Sequence, residues 1–506
     1  MSPLILFSFV IGYFVLLLAV AYFTSRGSNN ESFFIGNRNS NWMLVAFGMI
    51  GTSLSGVTFV SVPGGVATGN FYYFQIVLGY LLGYMVIAFV LIPLYYKMNL
   101  TSIYTYLEKR FGINAHRAGA FFFILSRTVG ATARLYLVIS ILQKFIFEPM
   151  HIHFAVTTIV ILALILLYTF EGGVRTIIYT DTLQTTGMLL GLVVCIIVIT
   201  KAMGTDFSGA LSLMNDKGYT KIFNTDVKAG SFFLKHIIGG MFIAIAMTGL
   251  DQEMMQKNIS VKNIKDSQKN IMTFSAVLVV VNLLFLFLGG ILYLYASANG
   301  ITTAPDDLFP TIALSDTFSG VIGIIFIIAL ISALFPSVDG AITSLTSCFC
   351  IDILGINKNA ATEKENKTTR LKVHFTFAIV FFVMVLIFKA INDKLIIDFI
   401  LKFAGITYGP LLGLFSFGIL TKKHLNEKLI WTVCIIAPLM ALGLDMLSSP
   451  EWYEKKLHVS LGTLKDISTN IFGGYKIGNE LILINGIFTF LGLLIISKKS
   501  SNKIAL

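Results

Sequence analysis

Two hydrophobic segments of the sequence are interrupted by small and polar residues at the depth where a membrane-spanning helix should be most apolar. The interruptions are Gly51–Thr58 (GTSLSGVT), inside 42–65, and the stretch between Phe232 and Leu250 that contains Gly239-Gly240 and Thr248-Gly249. In hydrocarbon each unpaired backbone amide or carbonyl costs several kcal/mol, so irregular backbone persists only where it lines a cavity. Paired breaks of this kind are typical of the ligand site of a secondary transporter. The alternative is that the glycines only allow close helix packing.

The composition requires a membrane environment. Of the 506 residues 56% are hydrophobic and only 12% are charged, whereas a soluble protein carries about 25% charged residues. The net charge of +11 is spread over short connections between apolar segments, so it does not indicate nucleic-acid binding. The four cysteines lie inside apolar runs, which predicts buried thiols rather than a disulfide framework.

A membrane span needs about 20 mostly apolar residues. On this criterion the sequence predicts an all-α polytopic protein of about thirteen spans. They are 4–23, 42–65, 72–96, 118–147, 155–170, 176–200, 232–250, 272–296, 318–350, 372–390, 395–420, 429–447 and 480–497.

The distribution of Lys and Arg predicts the orientation of these spans. Alternate connections are basic, among them those with Arg26, Arg175 and the lysines from Lys257 to Lys269, and the short connections between them are nearly free of basic residues. Basic connections stay on the cytoplasmic side. We therefore expect a multi-pass cell-membrane protein with its N-terminus outside and its C-terminus in the cytoplasm.

The odd span count predicts one integral transporter domain with internal symmetry. It consists of a leading helix (4–23), a five-helix repeat (42–200), an inverted five-helix repeat (232–420) and two additional helices (429–497). The broken segments are then the first helices of the two repeats, which is where inverted-repeat transporters place them.

Five local strings occur in an order that resembles the sodium/solute symporter family, which includes sodium-coupled sugar, proline, iodide, vitamin and sialic acid carriers. They are Ser32–Arg38 (SFFIGNR), Leu100–Phe111 (LTSIYTYLEKRF), Gly172–Gln184 (GGVRTIIYTDTLQ), Asp251–Lys257 (DQEMMQK) and Gly409–Phe415 (GPLLGLF). The resemblance spans most of the chain. It implies the five-plus-five inverted-repeat fold and sodium-driven uptake.

The resemblance also implies a sodium site. Gly51 and Leu54 match carbonyl ligands on the first broken helix; on the eighth core helix, which Asp352 anchors, Ala333, Pro336 and Ser337 match the partner positions. A hard cation prefers oxygen ligands, which unwound carbonyls and hydroxyls supply. Pro336 departs from the family pattern, where a hydroxyl residue is usual, but proline frees the carbonyl one turn earlier.

Two carboxylates at membrane depth extend this predicted site. Asp181 matches a family carboxylate near a second sodium position, and Asp339 is expected to project from the eighth core helix close to Ser337. Together they are candidates to hold a cation or to exchange a proton. The alternatives are that Asp181 is a helix-end carboxylate near the cytoplasmic interface, and that Asp339 forms an ion pair with Arg127 or Arg134.

The predicted substrate-binding residues are Ser53, Ser55, Thr58, Gln75 and Arg134. Arg134 lies mid-span at what resembles the position where the sialic-acid branch binds the substrate carboxylate. A guanidinium binds carboxylate bidentately, and hydroxyls bind sugar hydroxyls. The alternatives are that Arg134 neutralises Asp339 or Asp181, and that Gln75 is only an interfacial glutamine.

The sequence therefore predicts a secondary active transporter, not an enzyme, that couples sodium to uptake of a small polar solute. A carboxylate-bearing sugar such as a sialic acid is one candidate; a neutral sugar, a vitamin and a monocarboxylate are others. A proton-coupled symporter of the same fold and a membrane-embedded sensor or enzyme are the competing classes. The expected partners are the solute, sodium and the lipid bilayer, with no nucleic acid and no obligatory protein partner.

Overall fold

The computed structural model of the chain describes residues 3–26, 30–169, 173–318, 320–356, 362–391, 396–457, 460 and 462–498. Within these residues the chain is almost entirely helical. The strands are the two-residue pair β1 (His424–Leu425) and β2 (Ser497–Lys498), which run antiparallel. The fold class predicted from the sequence, all-α, is confirmed.

The α-helices of the described residues are numbered in chain order. They are α1 (Pro3–Ser25), α2 (Asn30–Ile35), α3 (Trp42–Ser53), α4 (Gly56–Gly64), α5 (Val66–Gly69), α6 (Tyr73–Val86), α7 (Ile92–Lys97), α8 (Thr105–Phe111), α9 (Ile113–Leu142), α10 (Phe154–Thr169), α11 (Gly173–Ala202), α12 (Phe207–Asp216), α13 (Phe233–Ala244), α14 (Gln252–Ile259), α15 (Ile264–Ala298), α16 (Pro305–Ala313), α17 (Val321–Cys348), α18 (Glu363–Ile391), α19 (Ile396–Thr407), α20 (Gly409–Leu420), α21 (Ile430–Ser448), α22 (Pro450–Leu457), α23 (Gly462–Phe472) and α24 (Leu481–Ile495). Five-residue π-helical turns occupy Ile87–Leu91, Gln143–Phe147, Ile245–Gly249 and Phe349–Ile353.

The helices long and apolar enough to cross a membrane reproduce the predicted spans. In the described part of the chain eight are single long helices and three are bent pairs, and α10 and α24 are shorter apolar helices. Each predicted span corresponds to one of these thirteen segments. The prediction of a polytopic membrane protein is thus confirmed, and all four cysteines are free and buried as expected.

The first broken helix lies where the sequence places it. α3 begins after Asn41, whose side chain accepts a hydrogen bond from the amide of Met43, and it ends at Ser53. Leu54 (ψ 73°) and Ser55 (ψ 173°) are non-helical, and α4 continues at an angle of 52° to α3. The small and hydroxyl residues of this stretch tolerate the departure from helical geometry, since none of them must pack a large side chain.

The second broken helix breaks after Thr248-Gly249 and not at Gly239-Gly240. Gly239 and Gly240 are inside continuous helix, and a side chain at Gly240 would overlap the carbonyl of Ile76. These glycines serve close packing, which was the alternative interpretation. The bend of 65° comes at Leu250–Asp251, after the π-helical turn that follows α13.

The span predicted over 395–420 is a third bent pair, formed by α19 and α20. The two helices meet at 45°. Pro410 has no amide hydrogen and therefore leaves the carbonyl of Ile406 without its helical partner. The side-chain amide of Asn485 donates to this carbonyl and to that of Gly405, so the bend is stabilised by a residue of α24.

The chain forms two compact units, and each combines segments that are distant in sequence. The first unit contains Met1–Phe74, Arg127–Ile222 and Glu253–Ile400. In it α11 packs against α17 and α3, with Gly191 placed directly against Ala329. The second unit contains Gln75–Ser126, Phe223–Gln252 and Leu401–Leu506, and α20, α21 and α24 pack together in it. The division into inverted repeats stays a prediction.

Candidate functional site

The backbone between α3 and α4 leaves carbonyl oxygens without hydrogen bonds. The amide of Leu54 donates to the carbonyl of Ile50 at 2.8 Å, and the amide of Phe59 donates to that of Ser55 at 3.1 Å. Among the described residues no donor bonds the carbonyl of Gly51 or Leu54. Buried, unbonded carbonyls are costly unless a cation binds them. Both predicted carbonyl ligands thus lack a hydrogen-bond donor among the described residues, and their role as cation ligands stays a prediction.

Helix α17 passes directly beside this break. A Cβ atom at Gly51 would lie 3.4 Å from Cγ of Pro336, and one at Gly56 would lie 3.9 Å from the backbone of Leu334. Ala333 and Ser337 are fully buried on the same helix. The Ser337 hydroxyl donates to the carbonyl of Leu334 at 2.7 Å, so its oxygen lone pairs stay available to a cation. The structure thus brings together α3 and α17 as the sequence predicted.

Thr185 is a residue of this region that the sequence reasoning missed. It is fully buried on α11, and its hydroxyl oxygen accepts a hydrogen bond from the amide of Gly51 at 3.1 Å. Thr185 lies one turn after Asp181, so both point to the same side of α11. The spacing of Thr185 and Asp181 at i and i+4, which puts the hydroxyl on the same helix face as the carboxylate, was the signal that could have identified it.

The carboxylate of Asp181 is already bound to a cationic side chain. Lys257 places its Nζ 2.6 Å from Oδ2 of Asp181 and 2.6 Å from the hydroxyl oxygen of Thr52. The Thr52 hydroxyl lies 3.1 Å from the same carboxylate oxygen. Asp181 is fully buried inside α11, so it is not a helix-end carboxylate. Asp181 stays a predicted cation ligand, but the ammonium group of Lys257 already binds its Oδ2 atom.

The burial of Lys257 corrects its assignment to a basic cytoplasmic connection. Lys257 belongs to α14 and is 2% exposed. Its Nζ also lies 3.7 Å from Oε1 of Glu253, one turn earlier. Counting basic residues along the sequence cannot separate an exposed lysine from one that pairs internally. The i, i+4 spacing of Glu253 and Lys257 was the available clue.

Arg127 pairs with Glu253. The two side chains form a direct ion pair between α9 and α14, and both are buried. Glu253 in turn lies against the backbone of Gly340, where a side chain would overlap its carboxylate. The acid that pairs with Arg127 is therefore Glu253 and not Asp339, which was the alternative considered from the sequence.

Asp339 accepts a hydrogen bond from the hydroxyl of Tyr168 at 2.9 Å and is fully buried. It follows Ser337 by two residues, which is about 200° around an α-helix. The two side chains therefore point to different sides of α17, and Asp339 faces α10, not the carbonyls of the break. The expected grouping of Asp339 with Ser337 does not form in this structure.

The predicted solute ligands of the first unit surround the start of α4. Ser55 and Thr58 are buried, and Ser53 is half-buried at the end of α3. Ser55 makes no side-chain capping bond, which leaves its hydroxyl available. The first amide groups of α4 lack helical partners and carry the positive end of the helix dipole. The break thus offers hydroxyls and a region that favours an anion.

Arg134 is half-buried on α9. Val138, one turn later on the same face, lies directly against Gly56, where a Cβ atom would overlap its side chain. α9 therefore passes the break with Arg134 about one turn away. Gln75 belongs to the second unit, where it is buried and its amide donates to the carbonyl of Ser231 at 3.5 Å.

The second break differs from the first in its backbone. The hydroxyl of Tyr95 donates to the carbonyl of Gly249 at 2.7 Å, and that of Tyr104 donates to the carbonyl of Leu250 at 2.9 Å. Both tyrosines are fully buried. The carbonyls at this break are thus bonded within the protein.

Comparison with known proteins identifies what this chain is similar to. The model of the sodium:solute symporter family matches residues 33–434. The sodium/sialic acid symporter SiaT of Proteus mirabilis (strain HI4320) is 26% identical over 444 residues, covering 82% of this chain and 85% of that protein. The sodium/sialic acid symporter NanT of Aliivibrio fischeri (strain ATCC 700601 / ES114) is 26% identical over 459 residues, covering 85% of each.

Structural comparison gives a fold match over nearly the whole chain. The solved structure of a Na⁺-coupled sialic acid symporter in a substrate-bound, outward-open state matches with a TM-score of 0.80 at 20% identity. It covers 98% of this chain and 99% of that one.

Proposed function

This chain belongs to the sodium:solute symporter family, and we propose that it takes up a carboxylate-bearing sugar, such as a sialic acid, together with sodium. It is a multi-pass membrane protein that couples solute transport to sodium. The relatives named as sodium/sialic acid symporters support the choice of solute. The N-terminus is taken to lie outside and the C-terminus in the cytoplasm, and transport needs no obligatory protein partner.

The observation that carries the proposal is the pair of unbonded carbonyls at Gly51 and Leu54. Sodium bound there would take further oxygen ligands from the Ala333–Ser337 turn of α17, with the hydroxyl of Ser337 as its main side-chain ligand. The hydroxyls proposed to bind the solute, on Ser53 and Ser55, flank Leu54 in the sequence. Sodium and solute would therefore fix the same few residues of backbone, and each would favour the binding of the other.

Arg134 supplies the recognition of an acid. A half-buried arginine in a span requires an anionic partner or solvent. A planar guanidinium binds a carboxylate through two parallel hydrogen bonds, and the start of α4 adds a favourable dipole. A neutral sugar would use the hydroxyls of the break but would offer the guanidinium of Arg134 no carboxylate to bind. Gln75 is kept as a proposed solute ligand of the second unit.

Uptake of radiolabelled sialic acid into proteoliposomes tests the proposal. An inward sodium gradient should drive accumulation, and replacement of sodium by choline at fixed pH should abolish it. A matched measurement uses a pH gradient without sodium. Uptake driven by that pH gradient alone would favour the proton-coupled alternative and contradict the sodium site at the first break.

Arg134 can be tested separately from coupling. If its role is to neutralise Asp339, Arg134→Ala should reduce the yield of folded protein and Arg134→Ala/Asp339→Ala should restore it. If it binds the solute, the double variant should remain inactive for the acid even when folded. Full transport by the double variant would show that Arg134 does not bind the carboxylate.

A further inference from the structure

Lys257 is an ammonium group surrounded by oxygen atoms in the interior of the first unit. Its Nζ contacts Oδ2 of Asp181, the hydroxyl of Thr52 and, at 3.7 Å, Oε1 of Glu253. The two shortest contacts are 2.6 Å. Oxygen ligands bind Ca²⁺, a cation of nearly the size of Na⁺, at about 2.3–2.6 Å. The position of the Lys257 ammonium is therefore one that a metal cation of this size would also fit.

A second feature points to the same position. Oδ1 of Asp181 is buried and accepts no hydrogen bond from the described residues. A buried carboxylate oxygen with no donor is costly. The Asp181 carboxylate thus retains an unused oxygen beside the one that binds Lys257, as a site built for a cation with several ligands would.

Two buried ion pairs set the charge of the region. Lys257 pairs with Asp181, Arg127 pairs with Glu253, and all four side chains are 0–4% exposed. Asp339 accepts a hydrogen bond from the hydroxyl of Tyr168. Lys257 thus already supplies the positive charge that Asp181 requires, and a metal cation beside Asp181 would have to replace the ammonium group.

We propose that Lys257 is a built-in cation that fills a second cation position formed by Asp181 and Thr52, so that one sodium ion binds per chain. This rests on the proposed function, because the single sodium is the one assigned to Gly51, Leu54 and Ser337. Thr52 follows Gly51 directly, so the ammonium lies next to that site. Removal of the ammonium would leave the Asp181 carboxylate without its counter-charge and would open a set of oxygen ligands.

The number of bound sodium ions tests the inference. Purified protein in detergent is equilibrated with ²²Na⁺, and bound sodium is counted per chain at saturation. Wild-type protein should bind one sodium ion, and Lys257→Met should bind two. Lys257→Met/Asp181→Asn should return to one, since the carboxylate that holds the second ion is gone. Lys265→Met, which changes an exposed lysine of α15, is the matched control and should bind one.

The sodium dependence of uptake gives an independent measure of the number of sodium ions that bind. Its Hill coefficient should be near 1 in the wild type and near 2 in Lys257→Met. Two sodium ions per wild-type chain, or equal numbers in wild type and a folded Lys257→Met, would overturn the inference. If Lys257→Met does not fold, the wild-type count still decides between one site and two. Failure of sodium-driven uptake in the wild type would instead count against the proposed function, because the binding count is measured without solute.

Discussion

The two broken helices both leave helical geometry, but they differ in how the carbonyl groups at the break are hydrogen-bonded. At the first break the carbonyls of Gly51 and Leu54 accept no hydrogen bond from the described residues, and small or hydroxyl side chains line the chain. At the second break the carbonyls of Gly249 and Leu250 are bonded by the buried hydroxyls of Tyr95 and Tyr104. The first break is open to a ligand, whereas the second is closed by the protein itself.

The difference shows that a break in a membrane helix is not by itself a binding site. At either break an unpaired carbonyl in hydrocarbon is unfavourable by several kcal/mol unless a donor or a cation binds it. The tyrosine hydroxyls bind the carbonyls of the second break permanently and hold the bend in one geometry. A cation would stabilise the carbonyls of the first break only while it is bound, so the free energy of that break depends on the ion. That dependence is what a coupled transporter requires.

The largest expected effect concerns the solute at the first break. Arg134→Lys keeps the charge but loses the planar fork, so the half-saturation concentration for the acid should rise about 10–150-fold, the equivalent of one charged hydrogen bond. Arg110→Lys is the control, because Arg110 of the second unit donates to the carbonyl of Thr421. Uptake kinetics in proteoliposomes measure both. Equal effects of the two changes would remove Arg134 from the solute site.

The sodium ion gives the next effect. Ser337→Ala removes the proposed side-chain ligand beside the first break, and a loss of about 1–3 kcal/mol corresponds to a 5–150-fold higher sodium half-saturation. Ser344→Ala is a close control, since Ser344 lies two turns later on α17 and also donates to the carbonyl three residues earlier. An unchanged sodium half-saturation in Ser337→Ala would place the ion elsewhere.

The second break should respond in stability and not in ion binding. Tyr95→Phe leaves the carbonyl of Gly249 without its donor, and we expect a loss of about 1–3 kcal/mol in the free energy of unfolding. Thermal unfolding in detergent measures it, with the exposed Tyr179→Phe as control. Added sodium should stabilise Tyr95→Phe as much as the wild type. A shifted sodium half-saturation would mean that the second break also binds the ion.

The smallest effect is expected for a single hydroxyl. Thr58→Val keeps the shape of the side chain and removes one neutral hydrogen bond to the solute, worth about 0.5–1.5 kcal/mol, or 2–12-fold in solute half-saturation. Thr68→Val, at an exposed position of α5, should leave uptake unchanged. A sodium half-saturation altered more than the solute half-saturation would assign Thr58 to the ion instead.

The sequence predicted the membrane spans and the first break because the free energy of placing a polar or apolar group in the membrane depends mainly on its depth. The thirteen spans follow from runs of apolar residues that no aqueous loop would carry. The first break follows from glycine and hydroxyl residues in the middle of such a run. The second break follows Thr248-Gly249, one of the two glycine positions that the sequence offered, whereas Gly239 and Gly240 match a break in composition while serving contact between helices.

What the sequence by itself determined is the class of the molecule: an all-α membrane protein whose first broken helix exposes backbone oxygens. What only the tertiary structure decided is which charged groups meet. Lys257 is 76 residues from Asp181 and 205 from Thr52, and its local i, i+4 spacing with Glu253 predicts neither of these two partners. Apolar runs and breaks are local properties of a chain, whereas the compensation of a buried charge depends on partners that only folding brings within 3 Å.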